Sequence, residues 1–415
     1  EALAAAGVRF EIVPGVTAGV AAPAYAGIPV THRDAASAVA FVPGHEDPSK
    51  DGSARAWEAL ARFPGTLVFY MGIKNQPLIA ERLTAAGRDA AQPVAVVARG
   101  TLSGQRTVAG TLEDIAARVA EAEVRPPAIT LVGPVAELRE TLAWLEQRPL
   151  HDEVVAVTRA RAQASELAGR LRALGAEVVE TPAIRIEPVP VELPRLDSYT
   201  LICLTSPNGV RLLFDALPGD ARSLAGTRIA AIGPGTAAAL RERGIEADVV
   251  PERFVAEGLL EALADEPLEG QRVLVARAAE ARDVLPEGLR ERGAEVDVVA
   301  LYRTVAEPLG EAQAEALKRA TYVTFTSSST VRYLFESLAE EAPADRPGAP
   351  CDRPATLGDR RAALGAARLA SIGPVTSATL REHGLEPDVE AERHDIDGLV
   401  AALVADAAAR KVPAP

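Results

Sequence analysis

The chain has little cysteine, methionine or aromatic content, and these shortages exclude whole classes of protein. Its 415 residues include 2 cysteines, 1 methionine and 4% aromatic residues. Neither Cys203 nor Cys351 stands in a CxxC or Cys/His spacing, which excludes a disulfide scaffold and a cysteine-based metal site. We predict no metal site, and a reducing, cytoplasmic compartment is the simpler interpretation.

Positive charge is also in short supply, because 44 Lys and Arg stand against 58 Asp and Glu, a net charge of −14. That balance argues against a general surface for nucleic acid or for anionic membranes. The long uncharged run at residues 12–31 is interrupted by prolines and glycines, which predicts loops and short helices instead of a membrane span. We therefore expect no nucleic-acid or membrane partner, and any anionic ligand needs a local site.

The residues that are present predict an α/β protein with largely parallel sheets. Short β-branched runs alternate with Ala/Leu/Arg/Glu stretches of helical period. The chain opens without Met on a helix at residues 1–6, followed by a predicted strand at residues 9–13, as if cut inside a domain. A helix at residues 135–145 and the turn at residues 147–149 predict a domain boundary near residue 150.

Beyond residue 150 the chain repeats itself, which predicts two similar α/β lobes. One unit recurs at an offset of 118 (277 − 159) and a second at an offset of 140 (373 − 233). The matched pairs are Arg159 with Arg277, Gly175 with Gly293, Gly233 with Gly373, and Gly258 with Gly398. The difference in offset is largely absorbed by residues 340–365, whose prolines and charges predict a surface insertion.

Each lobe contains two small polar turns between a predicted strand and a predicted helix. Such turns place backbone N–H groups and hydroxyls at a helix N-terminus, which favours carboxylate or phosphate. Plain N-capping is the alternative for any one turn, but four turns in repeated positions favour a ligand in one shared cleft. The residues that we predict to bind it are Ser206, Asn208, Gly209, Gly233, Thr236, Ser327, Ser328, Ser329, Gly373 and Thr376.

Residues 151–402 resemble the uroporphyrinogen-III synthase family through TRAR, TSPNGV, IGPGTA, YRT, FTSSSTV and IGPVTSA, in family order. The resemblance implies two flavodoxin-like lobes with parallel sheets, joined by a two-stranded linker near residues 184–188 and 302–305. Lobe one would be residues 151–187 plus 306–402, lobe two residues 190–303, and residues 403–415 a C-terminal tail.

The same resemblance implies that the chain closes linear hydroxymethylbilane to uroporphyrinogen III, inverting the last pyrrole ring through a spiro intermediate, without metal or cofactor. A polycarboxylate substrate suits a cleft of amides and hydroxyls, and Thr236 and Thr376 match threonines that line it. Tyr302 of YRT is the candidate catalytic residue, as donor to the departing hydroxyl; the alternative is a packed tyrosine paired with backbone. Arg159 and Arg277 either pair with substrate carboxylates or form ordinary salt bridges.

Residues 1–149 resemble the tetrapyrrole methylase family, specifically uroporphyrinogen-III C-methyltransferases, through EIVPGVTAGVAAPAYAGIPVTHR, TLVFYMGIKN, PVAVVARGT, QRTVAGTL and RPPAITLVG. The resemblance implies the second α/β lobe of such a methylase and S-adenosylmethionine as cofactor. The cofactor-binding positions that carry over are Thr17, Ala18, Met71 and Gly100. Met71 offers a soft apolar contact, or else fills the core. His32 and Arg33 either contact substrate carboxylates or cap a turn.

Together the two resemblances imply a bifunctional protein of tetrapyrrole biosynthesis. The product of the synthase part is the substrate of the methylase part, which leads to precorrin-2 and on to sirohaem or cobalamin. The methyltransferase part is expected to be homodimeric in the full-length parent. Two alternatives stay open: a two-lobe module that senses a tetrapyrrole or another polyanion without turnover, and a nucleotide-binding flavodoxin-like pair.

The methylase family's Gly-rich opening loop and Gly-Asp-Pro loop would precede PGVT and do not occur in this sequence. We therefore expect this chain to be a poor methyltransferase, and S-adenosylmethionine added to it should give little heat in a calorimetric titration. Tight binding would show that the loops contribute less to the cofactor site than we assume.

Overall fold

The structure is a computed structural model that describes residues 1–45, 53–340 and 361–411. The chain forms two compact units, one containing residues 1–155, 169–178 and the chain from 403 onward, the other residues 156–168 and 179–402. The boundary near residue 150 and the limits of the two lobes stay predictions. Most of the predicted insertion at 340–365 lies outside the described residues.

The N-terminal sheet has five strands in the order β1-β2-β5-β3-β4. The strands and helices of this part are α1 (Ala2–Ala5), α2 (Ala18–Tyr25), β1 (Val39–Pro43), α3 (Ser53–Ala61), β2 (Thr66–Tyr70), α4 (Gln76–Ala85), β3 (Pro93–Ala98), β4 (Arg106–Thr111), α5 (Ile115–Glu121), β5 (Ala128–Val132) and α6 (Arg139–Leu142). Among its described strands only β1 and β2 pair in parallel, whereas β2–β5, β3–β4 and β3–β5 are antiparallel. This sheet is therefore mixed, in contrast to the largely parallel sheets expected along most of the chain, and the short turn between β3 and β4 accounts for their antiparallel pairing.

Two predicted elements of the N-terminal part differ from the structure. The predicted strand at residues 9–13 does not form: these residues have no regular structure and are exposed, Ile12 at 83% and Val13 at 87%. A strand needs a neighbour to satisfy its backbone, and none of the described strands pairs with this segment. The predicted helix at residues 135–145 is a 3-10 helix, Pro134–Leu138, followed by the short α6.

The second and third sheets carry the repeated part of the chain. Their elements are β6 (Val154–Val157), α7 (Arg161–Ala173), β7 (Glu177–Glu180), β8 (Ile184–Pro188), β9 (Leu201–Leu204), α8 (Pro207–Ala216), β10 (Arg228–Ala231), α9 (Pro234–Glu242), α10 (Ala256–Ala262), β11 (Arg272–Ala278), α11 (Val284–Glu291), β12 (Glu295–Ala306), α12 (Glu311–Lys318), β13 (Tyr322–Phe325), α13 (Ser328–Glu340), β14 (Arg368–Ser371), α14 (Pro374–Glu382), β15 (Val389–Glu390) and α15 (Ile396–Lys411). The sheet orders are β10-β9-β11-β12-β8 and β15-β14-β13-β6-β7. Residues 403–411 of the expected tail continue α15.

The repeat predicted from the sequence reappears in the strand pairing. Ala230 forms a parallel bridge with Val249, and Ala370 pairs in parallel with Val389. Both partners are 140 residues apart in the two lobes (370 − 230 and 389 − 249). The order β10-β9-β11-β12 of one sheet corresponds to the order β14-β13-β6-β7 of the other, and the predicted α/β fold of the repeated part is confirmed.

The sheet around β9 is buried on both faces, which explains its continuous apolar sequence. Ile202 and Leu204 enter one core cluster, whereas Leu201 and Cys203 enter the cluster on the opposite face. Parallel strands covered by helices on both sides have this pattern. Burial also raises the pKa of the free Cys203 thiol to about 12. Polar chemistry is consequently left to the ends of the strands.

Two repeat-equivalent glycines are predicted to be intolerant of a side chain. A Cβ at Gly258 would lie 2.1 Å from the carbonyl oxygen of Arg253, and one at Gly398 would lie 1.9 Å from that of Arg393. Gly258→Ala and Gly398→Ala should each lower the free energy of unfolding by about 1–3 kcal/mol through overpacking, measured by chemical denaturation.

Gly169 provides the matched control, because it lies in α7 with nothing within 4 Å of an added Cβ. Gly169→Ala should raise the free energy of unfolding by about 0.5–1 kcal/mol, since alanine has the higher helix propensity. Equal effects of all three substitutions would contradict the close approach as the cause.

Candidate functional site

The four polar turns follow four strands of the repeated part, as predicted. One turn follows β9 and one follows β10, which are parallel neighbours; the other two follow β13 and β14, which are also parallel neighbours. Each turn leads directly into a helix, namely α8, α9, α13 or α14. The turns thus lie at the carboxyl ends of their strands, where α/β proteins bind ligands. The ligand role of the individual residues stays a prediction.

In the β9–β10 pair, Ser206 is the N-cap of α8. Its Oγ accepts a hydrogen bond from the N–H of Gly209 at 2.9 Å. The neighbouring turn packs against it, since a Cβ at Gly235 would lie 3.8 Å from Cγ of Pro207. The structure therefore brings these two turns together.

In the β13–β14 pair, hydroxyls link the two turns. Ser327 Oγ accepts from the N–H of Thr330 at 3.2 Å, so it caps α13. Ser328 Oγ accepts from Thr379 Oγ1 at 2.8 Å and donates to the carbonyl of Val375 at 3.4 Å. Ser329 is half-buried beside them. The capping that we weighed as an alternative is thus present, within a second paired arrangement of turns.

The glycines and threonines of these turns are tightly packed. Gly233 and Gly373 have extended backbones. A Cβ added at Gly233 would lie 3.1 Å from the Phe254 side chain, and one added at Gly373 would lie 2.8 Å from the His394 side chain. Phe254 and His394 are themselves 140 residues apart (394 − 254). Thr236 and Thr376 are only 3% and 4% exposed. Close packing therefore accounts for the glycines, and the two threonines have little surface left for a ligand.

Tyr302 lies on the linker predicted from the sequence, where β12 pairs antiparallel with β8 from Tyr302–Pro188 to Ala306–Ile184. The residue is 5% exposed, and its Oη lies 2.8 Å from Ser206 Oγ. The Asn208 side chain also hydrogen-bonds to it. Ser206 Oγ accepts from Gly209 and has a second lone pair, so either hydroxyl of the Ser206–Tyr302 pair can be the donor.

The surroundings of Tyr302 keep its hydroxyl protonated. Burial raises the pKa of Tyr302, the hydrogen bonds from Ser206 and Asn208 oppose that rise, and the negative charge of Glu280 adds to it. The packing alternative considered above had the hydroxyl paired with backbone, whereas the structure pairs it with side chains of a predicted binding turn.

Two residues near Tyr302, Glu280 and Tyr333, are not predicted from the sequence. The Glu280 carboxylate accepts from the N–H of Thr304 at 3.3 Å, and the Tyr333 hydroxyl donates to the carbonyl of Thr304 at 2.9 Å. The available signal was Tyr333 itself, one of 6 tyrosines, on the helix that begins at the predicted turn residue Ser328. Nothing in the sequence around Glu280 marks it among 58 acidic residues.

The repeat-equivalent arginines, Arg159 and Arg277, interact with residues close to them in the sequence. Arg277 is 9% exposed and donates to the carbonyl of Arg282 and to the Asp283 carboxylate, at 2.8 and 2.6 Å. Burial lowers the pKa of Arg159, and the charge of Glu166 opposes that shift. The salt-bridge alternative therefore describes Arg277.

The predicted cofactor positions of the N-terminal part gather around α2. Thr17 precedes α2, and its Oγ1 lies 2.5 Å from the Tyr70 hydroxyl at the end of β2. Met71 follows Tyr70 and is 69% exposed, so it does not fill the core. A Cβ at Gly100 would lie 2.3 Å from Cβ of Ala22 in α2, which explains the glycine. Ala18 is the first residue of the same helix.

Backbone strain is concentrated at the same place. In the described part of the chain, five non-glycine residues have positive φ, and three of them are Met71 (55°), Arg99 (50°) and Thr101 (72°). Such strain clusters at ligand sites.

His32 accepts a hydrogen bond from the N–H of Asp34 at 3.2 Å through Nδ1, which matches the turn-capping alternative for this residue.

Two features are absent from residues 1–45, 53–340 and 361–411. No helix there combines the length and the apolar character that crossing a bilayer requires. The same residues contain no group of three or more His, Cys, Asp or Glu side chains placed to hold a metal ion.

Comparison with known families matches two parts of the chain. Residues 165–401 match the family described as uroporphyrinogen-III synthase HemD. Residues 1–116 match the family described as tetrapyrrole (corrin/porphyrin) methylases. Both resemblances inferred from the motifs are confirmed.

Individual relatives and a solved structure are similar to parts of the chain. The porphyrin biosynthesis protein HemD of Ruminiclostridium josui is 35% identical over 347 residues, 80% of this chain and 68% of the relative. An S-adenosyl-L-methionine-dependent uroporphyrinogen III methyltransferase of Methanosarcina barkeri is 50% identical over 148 residues, 36% of this chain and 57% of the relative. The solved structure of a mutant uroporphyrinogen III synthase from Thermus thermophilus is 24% identical, covers 62% of this chain and 100% of its own, and has a TM-score of 0.42.

The buried phenol groups yield a pH prediction. Burial raises the pKa of Tyr199 to about 12, and burial also raises the pKa of Tyr302 and Tyr333. A raised pKa means that folding favours the neutral phenol, so this stability is complete below the ordinary value of 10.0 and is lost as pH rises through the folded value.

An alkaline titration followed by tyrosinate absorbance should therefore show a late-titrating class. Tyr302→Phe and Tyr199→Phe should each remove one phenol from that class. Loss of an early-titrating phenol instead would contradict the burial of the substituted residue.

Proposed function

Because the chain belongs to the uroporphyrinogen-III synthase family through residues 165–401 and carries a tetrapyrrole methylase segment at residues 1–116, we propose that it is a bifunctional enzyme of tetrapyrrole biosynthesis. Its synthase part converts hydroxymethylbilane to uroporphyrinogen III with inversion of the last pyrrole ring. Its methylase part methylates that product to precorrin-2. Matches to biosynthetic enzymes in both parts disfavour the sensing alternative.

One observation carries the synthase proposal: Tyr302 lies on the linker strand with its hydroxyl bound to Ser206 of a polar turn. The C–O bond of the hydroxymethyl group breaks, and the departing hydroxyl takes the phenol proton and leaves as water. The attached pyrrole donates π electrons to the electron-deficient methylene carbon that remains. Ring closure later releases a pyrrole proton, which returns to the Tyr302 phenolate.

The residues around Tyr302 suit a general acid. The hydrogen bonds of Ser206 and Asn208 to Oη lower the pKa of Tyr302, which stabilises the phenolate after proton transfer. Burial keeps the phenol protonated beforehand. The pyrroles are electron-rich, so this part needs no cofactor: the protein mainly has to fold the substrate and direct its closure.

The turn residues are proposed to hold the substrate carboxylates. They offer backbone N–H groups and hydroxyls at four helix N-termini, which suits a polyanion on a protein of net charge −14. Ser206 and Ser328 already take part in hydrogen bonds, so backbone N–H groups provide the larger share of donors.

For the methylase part, the residues gathered around α2 fit S-adenosylmethionine. Thr17 and Ala18 at the start of α2, the exposed Met71 and the small Gly100 would hold the nucleoside and the methionine chain. The cofactor, when bound, supplies an electrophilic methyl group. This chain spans 57% of the Methanosarcina barkeri methyltransferase, and the methylation is part of the proposal.

The setting of the protein is part of the proposal. A reducing cytoplasm suits a chain with 2 cysteines, one of which, Cys203, is buried and free. The negative net charge supports small-molecule tetrapyrroles, and not nucleic acid, as partners. A homodimer through the methyltransferase part is likewise proposed, with either sirohaem or cobalamin as the pathway end point.

The synthase proposal is tested with freshly generated hydroxymethylbilane. Separation of the products by chromatography should show uroporphyrinogen III, whereas closure without the enzyme gives isomer I. Formation of isomer I alone would contradict the proposal and favour a binding module.

Tyr302→Phe should slow turnover by about ten- to a hundredfold, because the acid that assists hydroxyl departure is lost. Tyr199→Phe is the matched control: its hydroxyl binds Asp297 at 2.6 Å, on the same strand as Tyr302 but near the other end. An unchanged rate in Tyr302→Phe would return Tyr302 to a packing role.

A further inference from the structure

Thr304, two residues after Tyr302 on β12, is held by two side chains at once. Its N–H donates to Glu280 at 3.3 Å, and its carbonyl accepts from the Tyr333 hydroxyl at 2.9 Å. Glu280 belongs to the loop after β11, whereas Tyr333 belongs to α13, which follows a strand of the other sheet. Side chains attached to two different sheets therefore meet at one backbone residue.

The pairing of β12 explains why these backbone groups are available. In an antiparallel pair, alternate residues direct N–H and C=O toward the partner and away from it. The N–H of Val189 donates to the carbonyl of Leu301. The backbone N–H and C=O groups of Leu301 and Arg303 therefore point toward β8, whereas those of Tyr302 and Thr304 point away from it. On that side β12 is covered by β11 only as far as its residue Ala278, which aligns with Tyr302. Thr304 lies beyond the end of β11.

Glu280 and Tyr333 continue the ladder where β11 stops. The N–H of Ala279 donates to the Tyr302 carbonyl at 2.8 Å, and the next residue, Glu280, takes the Thr304 N–H. The same short loop thus fixes the backbone of Tyr302 and of Thr304. Tyr333 then donates to the carbonyl of Thr304 from α13, the helix that follows β13.

We propose that Glu280 and Tyr333 are positioning residues that clamp Thr304 and so fix the strand segment from which Tyr302 reaches Ser206 and the substrate. Their effect on the reaction rests on the proposed synthase function. Tyr302 Oη must meet both Ser206 and the departing hydroxyl, and a shift of the strand by a fraction of a hydrogen-bond length would break that alignment.

The charge of Glu280 supports the same role. Its negative charge raises the pKa of both Tyr302 and Tyr333, and its carboxylate accepts from the Thr304 amide. Other charged groups act on Tyr333 only: Glu336 raises its pKa and Arg332 lowers it. Glu280 is therefore the charged group common to both tyrosines.

A positioning role and a purely structural role of Glu280 and Tyr333 predict different results. If the two side chains only stabilise the end of the strand, their loss lowers stability and leaves the rate per folded molecule unchanged. A clamp that aligns Tyr302 affects the chemical step and the choice of product, because a poorly aligned site releases its activated substrate to close on its own as isomer I.

The test compares Tyr333→Phe, Glu280→Ala and Glu280→Gln with the Tyr199→Phe control. Tyr333→Phe and Glu280→Ala should each lower kcat about three- to tenfold with KM within about twofold, and should raise the fraction of isomer I. Glu280→Gln keeps an acceptor oxygen for Thr304 and should recover most of the rate. The Glu280→Ala, Tyr333→Phe double variant should lose less than the product of the two single effects, since both act on one residue.

A second measurement reads the clamp without any turnover. Amide hydrogen exchange in residues 302–306 should become about tenfold faster in Glu280→Ala and Tyr333→Phe, because the segment opens more often, and should not change in Tyr199→Phe. Unchanged exchange would overturn the clamp whatever the activity assay gives.

The outcomes separate the two proposals. If wild type forms isomer III while Tyr333→Phe and Glu280→Ala keep its rate and product ratio, the positioning role is wrong. A Glu280→Gln variant as slow as Glu280→Ala would overturn the hydrogen bond as the means of positioning. If wild type forms only isomer I, the synthase function fails, and the exchange measurement still decides whether the clamp exists.

Discussion

The antiparallel pairing of β8 with β12 is the interaction on which the proposed synthase site depends. It extends the sheet of one lobe by a strand and continues to Ala306, from which the chain enters the other lobe. Tyr302 is the β12 residue at one limit of this pairing, opposite Pro188. Tyr302 is held there by the sheet, and its hydroxyl is bound to Ser206 of one polar turn. The location of the linker thus sets where acid chemistry can occur.

Much of this arrangement was predictable because it follows from local rules repeated along the chain. Strand, polar turn and helix recur at offsets of 118 and 140, and the structure pairs equivalent residues such as Ala230–Val249 and Ala370–Val389. The exposed segment at residues 9–13 shows the limit of such rules, since alternating apolar residues form a strand only when a partner satisfies their backbone. Glu280 shows another limit, because its role depends on where β11 ends relative to Thr304.

The candidate sites are built in two different ways. At the methylase site, the backbone itself carries the distinctive features: left-handed Met71, Arg99 and Thr101 at strand ends, with Gly100 against α2. At the synthase site, the backbone is regular and the side chains carry the chemistry, with Ser206 serving both as helix cap and as partner of Tyr302. Sequence motifs rich in glycine and small residues reveal the methylase site. The synthase site is recognised only when the hydrogen bonds between its side chains are known.

The length of β12 has a consequence for how this protein evolves. One uninterrupted strand, Glu295–Ala306, serves first as the parallel neighbour of β11 and then as half of the linker. Insertion or deletion of a single residue before Tyr302 would turn its side chain to the opposite face of the sheet and shift every later pairing with β8. Descendants of this gene should therefore accept length changes in surface loops while this stretch keeps a constant residue count, even where its amino acids drift.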